Sequence, residues 1–328
     1  MLVTGATGAV GPRVVQALRE AGYRVRTLSL GAPSAGLLLD DVEVRIGDIT
    51  DAAVVQAAME DVEAVIHLAA LLHIVNPPST LRGEYERVNV GGTAAVVNAA
   101  LSAGVRRVVL FSTIAVYGCA TGQILTEDTL PQPDTFYAQS KLAAEQLVLQ
   151  ARRPDGQPLG AVLRPGAVYG ARARGNYRRL VQALARGRFI PLGDGHNRRT
   201  LIYDYDLAQA AVLAAQHPAA AGRIYNVSDG QFHTLNQIIS AICAAMGRQP
   251  PRFSVPLGPT RVVAGVLEDV LRLVGHTSPI GRATVDKYVE DVAVDSRRVQ
   301  TELGFAPRFD LYTGWREVIR EMRRNREL

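Results

Sequence analysis

Three side chains in the middle of the chain have the types and spacing to move a proton onto or off an oxygen: Thr113, Tyr137 and Lys141. Tyr137 and Lys141 stand four apart at the start of a predicted helix, so both project from one face. An ammonium there is expected to lower the phenol pKa from its reference near 10 toward the operating pH, making tyrosine usable as an acid or base. A third group should hydrogen-bond the substrate oxygen, and Thr113, at the end of a predicted strand, is the residue assigned. Near the start, Gly5-Ala6-Thr7-Gly8-Ala9-Val10-Gly11 sets three glycines three apart between a short strand and a helix. Gly5 allows the tight turn, Gly8 lets backbone approach a pyrophosphate, and Gly11 permits close helix-on-strand packing, with unpaired N–H groups of the helix N-terminus facing the phosphates. One site holds a dinucleotide and the other exchanges a proton, a combination that implies redox chemistry.

The elements around these residues alternate. Strands are predicted at Leu2 to Thr4, Arg24 to Leu28, Val42 to Ile46, Ala64 to Leu68, Arg107 to Ser112 and Gly160 to Leu163. Helices are predicted at Val10 to Ala21, Asp51 to Met59, Leu81 to Ala103 and Tyr137 to Ala151. Such βαβ units imply an α/β chain, a Rossmann-type doubly wound parallel sheet with a smaller, mixed C-terminal substrate lobe. The expected division is residues 1–165 for the dinucleotide domain with its Tyr/Lys pair and 166–328 for the lobe. Within the lobe, about 200–230 should return to the main sheet through the buried strand Arg223 to Val227, and the alanine-rich stretch Ala210 to Ala221 should be a small-residue helix. Only Met1 to Val3 precede the glycine turn, which leads to the expectation that a few upstream residues belong to the first strand.

The second strand ends Thr27-Leu28-Ser29-Leu30 and lacks the acid that would hold the adenosine ribose. Arg13 and Arg26 could instead meet a 2′-phosphate, which leaves NAD against NADP open. Asp48 is placed to accept from the adenine amino group, with helix capping by Asp48 or Thr50 as the alternative.

Composition narrows the remaining classes. A chain of 328 residues with 48% hydrophobic content fills a large core. The 36 basic against 31 acidic side chains concentrate their excess between Arg172 and Arg199, which suits a small anion, whereas Arg316 to Arg326 is interleaved with glutamates and reads as a solvated helix face. No nucleic-acid motif accompanies the charge. Cys119 and Cys243 have neither disulfide-framework nor zinc spacing. No apolar run approaches the ~20 residues that span a bilayer, and the N-terminus reads as strand rather than signal peptide. The expectation is a cytoplasmic protein without membrane or nucleic-acid partners and without a metal. His67, His73 and His196 are taken as satisfied polar residues rather than catalysts.

Several motifs together resemble the extended short-chain dehydrogenase/reductase family, of NAD-dependent epimerase/dehydratase type, over nearly the whole length. They are Thr4 to Gly11, His67-Leu68-Ala69-Ala70, Asn89-Val90-Gly91-Gly92-Thr93, Val116-Tyr117-Gly118, Tyr137 to Lys141, and Arg164-Pro165 with Val168-Tyr169-Gly170. The resemblance implies that Thr113, Tyr137 and Lys141 are the catalytic group. It places the cofactor against Gly5, Thr7, Gly8, Ala9, Val10, Gly11, Asp48, Ile49, Leu68, Ala69, Ala70, Pro165, Tyr137 and Lys141, with Asn89 in the same set through a structural role in the long helix. The second half looks most like nucleotide-sugar 4-epimerases and 4-reductases. Arg199, in Asn197 to Tyr203, is then the clamp on the substrate pyrophosphate, and Asn176 a phosphate or sugar contact or a helix cap. Dehydratases of this kind carry Asp-Glu after the threonine, where this chain has Ile114 and Ala115, so dehydration is not expected. A further departure is Asp204-Tyr205 where a valine-acid pair is expected. The implied activity is UDP-hexose 4-epimerisation through a 4-keto intermediate with NAD, in a homodimer formed by the helices Leu81 to Ala103 and Tyr137 to Ala151. The alternatives are an NADPH-dependent 4-ketoreductase and a hydroxysteroid or alcohol dehydrogenase.

Overall fold

A computed structural model describes residues 1–74, 77–119, 122–173, 175–273 and 282–328. The chain opens with β1 (Leu2–Thr4), α1 (Gly11–Glu20), β2 (Arg26–Ser29), β3 (Glu43–Ile46), α2 (Ala52–Ala58) and β4 (Ala64–His67). A helical rod follows, made of α3 (Leu81–Tyr85), a π-helical turn (Glu86–Gly91) and α4 (Gly92–Ser102), and then β5 (Arg107–Phe111). Next come β6 (Ile124–Leu125), α5 (Phe136–Gln150), β7 (Gly160–Pro165), β8 (Ala167–Tyr169), α6 (Asn176–Ala185), β9 (Arg198–Arg199), β10 (Leu201–Tyr203), α7 (Asp204–Gln216) and β11 (Ile224–Val227). The chain closes with β12 (His233–Thr234), α8 (Leu235–Met246), α9 (Leu257–Leu273), α10 (Arg282–Val289), β13 (Ala293–Val294), α11 (Arg297–Leu303) and α12 (Leu311–Arg324).

Seven strands form one parallel sheet in the order β11-β7-β5-β4-β1-β2-β3. The order reverses direction between β1 and β4, and a crevice outside the carboxyl ends of strands at such a switch point is where doubly wound sheets bind ligands. β11 lies against β7, which ties the C-terminal half of the sequence to the sheet edge. Alternation along the strands sends side chains to two cores. Val109 and Phe111 pack with α1, α7 and α11 on one face, while Val108 and Leu110 pack with α2, α4 and α5 on the other. The buried alanines of α7 let it lie close to the sheet beside α1. A third cluster joins α6, α8 and α12 around Tyr169, Tyr203 and Trp315 and fills the C-terminal lobe.

Local signals explain most helix ends. Thr135 caps α5 by accepting from the Ala138 N–H, and reciprocal capping boxes start α8 (Thr234, Gln237) and α12 (Asp310, Thr313). Two expectations are corrected. Helix α2 is capped by Asp51, which accepts from Ala53 and Val54, rather than by Asp48 or Thr50. The long helix is not uniformly α: the turn Glu86–Gly91 is π-helical, and it precedes a point where Gly92 packs directly on Ile49. The widened turn carries Asn89, a buried residue with work to do across the crevice.

Candidate active site

The turn after β1 is held from below, since the Gly5 N–H donates to the Leu28 carbonyl (2.8 Å) and the Gly8 N–H to the Gly5 carbonyl (3.0 Å). Gly5 has φ +72°, and a methyl group on it would stand 2.7 Å from the Ala69 nitrogen, so only glycine lets the β1 and β4 loops meet there. Gly11 is buried against the Ala6 backbone, whereas Gly8 is exposed and Thr7, Ala9 and Val10 are half-buried beside it. Helix α1 starts with no side-chain cap and no acid in its first turn. Its free N–H groups therefore suit an anion, and the turn fits a dinucleotide pyrophosphate.

On the adenosine side, two expected ligands are occupied elsewhere. Arg13 pairs with Asp204 (3.4 Å) and with Glu321, which ties α1 to α7 and α12. Arg26 sits at the start of β2, where it pairs with Glu43 (2.8 Å) and donates to the carbonyls of Ala58 (3.1 Å) and Glu60. Neither arginine is available for a 2′-phosphate, which corrects that expectation. Asp48 accepts from the Thr50 N–H (2.9 Å) and faces Arg87 at 3.7 Å, remaining partly exposed past the end of β3. Ile49 is a core residue packed on Gly92. The sequence reading passed over Ser29: it ends β2, is buried, and its hydroxyl has no partner. Because Leu28 supports the glycine turn, Ser29 stands where the absent acid was sought, offering a donor and an acceptor to a ribose hydroxyl.

Thr113 and Tyr137, two of the three candidate residues, come together at the end of β5 and the start of α5. Thr113, just past β5, accepts from the Ala115 N–H (3.1 Å), and its hydroxyl stands near enough to Tyr137 to pull the phenol pKa down. Lys141 lies one turn further along α5 and is buried. The expected electrostatics differ, because burial dominates them. Burial pushes the Tyr137 phenol up to about 12, against the pull of Thr113, and pushes Lys141 down to about 8, against Glu145. The phenol is thus fully protonated at neutral pH, the state needed to donate to a carbonyl oxygen.

A continuous hydrogen-bonded chain aligns the loops around it. The Ala69 N–H donates to Thr4 Oγ1 (3.3 Å), which meets His67 Nδ1 at 2.6 Å; His67 Nε2 meets Thr93 Oγ1 at 3.1 Å, and Thr93 donates to the Asn89 carbonyl (2.6 Å). Because Thr93 spends its proton on Asn89, His67 donates from Nε2 and accepts from Thr4 at Nδ1. Burial and Lys141 push His67 down to about 3, so it stays neutral. Asn89 accepts from the Leu71 N–H (2.7 Å) and donates to the Leu71 carbonyl (3.1 Å) and to Ser140 Oγ (2.9 Å), which donates to the Tyr137 carbonyl (2.8 Å). Its amide is spent on protein, so Asn89 positions the β4 loop against α5 and is not itself a cofactor ligand. Leu68, Ala69 and Ala70 are half-buried at the β4 end, and Pro165 closes β7.

Behind Lys141 lies a buried ion pair that sequence spacing did not reveal. Glu145, one turn on, accepts from Arg164 at 2.6 to 3.2 Å and from the Ser112 hydroxyl, and the Arg164 guanidinium covers the Tyr117 ring at 4.9 Å. Glu145 and Arg164 are 1% and 2% exposed, so the pair fixes α5 against β7 and β5 with no solvent relief.

The substrate side corrects the anion-clamp expectation. Arg199 donates to the carbonyls of Lys287 (2.9 Å), Tyr288 (2.9 Å) and Glu290, capping the end of α10. Arg198 is bound by Asp291, and Arg178 by Glu327 and the Ala171 carbonyl. Asn176 is the exposed first residue of α6, whose cap is Gly175, so it is not the capping residue, and Arg174 beside it lies outside the described residues. His196 is exposed, with its backbone N–H on Asp194. His73, by contrast, stands at the site, its ring edge-on to Tyr137 with centroids 5.9 Å apart. The Tyr85 hydroxyl secures its loop by donating to the Leu72 carbonyl (2.9 Å) and accepting from the Ile74 N–H (3.2 Å); Val75 and Asn76, further along the expected substrate loop, lie outside the described residues.

Comparison with known proteins agrees with this geometry. Residues 1–228 match the model of the NAD dependent epimerase/dehydratase family. A solved structure described as MoeE5 in complex with UDP-glucuronic acid and NAD is 30% identical, covering 99% of each chain with a TM-score of 0.77. A UDP-glucose 4-epimerase of Vibrio cholerae is 26% identical over 97% of this chain and 94% of its own. A 3 beta-hydroxysteroid dehydrogenase/Delta 5-->4-isomerase of Mycobacterium tuberculosis is 28% identical over 94% of this chain and 86% of its own. The chain belongs to the NAD dependent epimerase/dehydratase family and is an NAD-dependent enzyme of the short-chain dehydrogenase/reductase kind.

Proposed function

We propose that this enzyme carries out redox chemistry at C4 of a nucleotide-diphosphate hexose, with UDP-hexose 4-epimerisation as the outcome. The observation that carries the reading is Thr113 at the end of β5 beside Tyr137, with buried Lys141 one turn further along α5, at the crevice edge of a chain alike over 99% of its length to MoeE5, itself described with UDP-sugars and NAD. NAD, when bound at the glycine turn, supplies a hydride acceptor and donor. Thr113 would hold the C4 oxygen, and Tyr137, once it has given its own proton to solvent, would take the hydroxyl proton as the C4–H bond breaks, hydride leaves to the nicotinamide and a ketone forms. Lys141 provides the positive charge that favours the phenolate. After the 4-keto sugar turns in the site, Tyr137 returns the proton to the oxygen as hydride reaches the opposite face. Ile114 and Ala115 offer no acid after Thr113 for loss of water, which speaks against dehydration.

The missing ribose acid favours an NADPH-dependent 4-ketoreductase, but Arg13 and Arg26, the residues that could meet its 2′-phosphate, are committed to carboxylates. The hydroxysteroid or alcohol dehydrogenase reading keeps one support: Leu72 and Ile74, beside His73, are 60% and 40% exposed, and the lobe's Arg178, Arg198 and Arg199 are bound internally. The test supplies purified enzyme and NAD with UDP-glucose in one assay and a 3β-hydroxysteroid in another. Formation of UDP-galactose supports the proposal; oxidation of the steroid with no change in the sugar nucleotide overturns it. We also propose a homodimer through the rod Leu81 to Ala103 and α5, to be read from light-scattering mass, and a cytoplasmic setting. In favour of the latter, no helix is long and apolar enough to cross a membrane and no disulfide links cysteines among the described residues.

A further inference from the structure

The opposite end of the sheet from the catalytic residues holds an unbalanced charge. Arg107, the first residue of β5, is 4% exposed, and its Nε and Nη1 are buried with no hydrogen-bond partner. Its neighbours offer no relief. Arg106 is spent on Glu63 (3.0 Å) and Arg153 on Asp155 (2.9 Å), and the Arg153 Nε is a third buried nitrogen without a partner. Arg153 belongs to the hairpin that bridges Arg152 to Pro158 and leads into β7, the strand paired with β5. Burial pushes the Arg107 guanidinium down from its ordinary range, and Arg106 and Arg153 push it further the same way. A buried guanidinium among like charges destabilises the fold unless a counter-charge meets it.

We propose that Arg107, flanked by Arg106 and Arg153, is a binding site for a small oxyanion of the phosphate type at the N-terminal edge of the sheet. A guanidinium fork matches two oxygens of such an anion, and Arg106 and Arg153, committed to Glu63 and Asp155, leave Arg107 as the charge without a counter-ion there. Thr113 lies six positions after Arg107, a span of about 20 Å in extended chain, so the site is remote from the chemistry.

Thermal unfolding of the full chain saturated with NAD tests this, comparing potassium phosphate with potassium chloride at equal ionic strength. The wild type is expected to gain about 2 °C at a tenfold excess of inorganic phosphate over its Kd. Phosphate also stabilises proteins without binding, by exclusion from their surface. Two variants separate that effect. Arg107→Met should lose the phosphate-specific gain and, in chloride, unfold no lower than the wild type. Arg107→Lys keeps the charge without the fork and should lose most of the gain, with calorimetric titration of phosphate into NAD-saturated protein showing one site in the wild type and none in this variant. Equal gains in all three proteins, or Arg107→Met unfolding well below the wild type in chloride, would overturn the proposal.

Discussion

Asp204 gives a stability prediction whose sign and size follow from its surroundings. It is 2% exposed, and burial pushes its carboxyl up to about 7 from 3.8, against Arg13 and with Glu321 adding to the rise. An unfolded chain ionises this group near 3.8, while the folded protein keeps its proton until about 7. The native state therefore binds more protons between those values, and stability is lost as pH rises from about 4 to 7. A rise of about 3 pH units corresponds to about 4 kcal/mol. For 328 residues the entropy of unfolding converts this to about 6 °C in Tm. Asp204→Asn removes the titration and keeps the shape. Its Tm should match the wild type near pH 4 and exceed it by about 6 °C at pH 8, as read by calorimetry across the range. Other groups with raised pKa values, such as Asp206 and Glu127, titrate in both proteins and cancel in the difference. Parallel Tm curves for the two proteins would refute the claim that the Arg13–Asp204 contact fails to offset burial.

Ser29→Asp places a carboxylate at the end of β2 and should shift the NAD over NADP affinity ratio by about tenfold toward NAD, from charge-assisted hydrogen bonds to a ribose; an unchanged ratio in fluorescence titrations would remove Ser29 from the adenosine site. Glu145→Gln leaves Arg164 buried without its counter-charge and should cost about 3–5 kcal/mol, or about 4–7 °C. A drop below about 1 °C would mean that the pair contributes nothing to holding α5.

What could be foreseen from the residues was local. The glycine turn follows from backbone geometry within seven positions, and the meeting of Thr113 with Tyr137 from a strand end beside a helix start. The arginines were misread because their partners are remote: Arg13 finds Glu321 across 308 positions, and Arg199 finds the α10 carbonyls across about 90. No spacing rule announces such pairings. The protonation states were misjudged for a related reason, since burial of Tyr137 and Lys141 comes from the whole fold and outweighs the neighbour four residues away. The π turn at Glu86–Gly91 was also hidden, because the apolar stripe of the rod reads as ordinary helix until Asn89 must reach Leu71 and Ser140 at once.

The most direct test of the central claim is the turnover of Tyr137→Phe with NAD and UDP-glucose beside that of the wild type, both checked for the same Tm and NAD affinity. The account predicts interconversion of UDP-glucose and UDP-galactose by the wild type and a loss of about 10²–10⁴-fold in the variant, the range general acid–base catalysis supplies. Wild-type rates in a folded, NAD-binding Tyr137→Phe protein would contradict it.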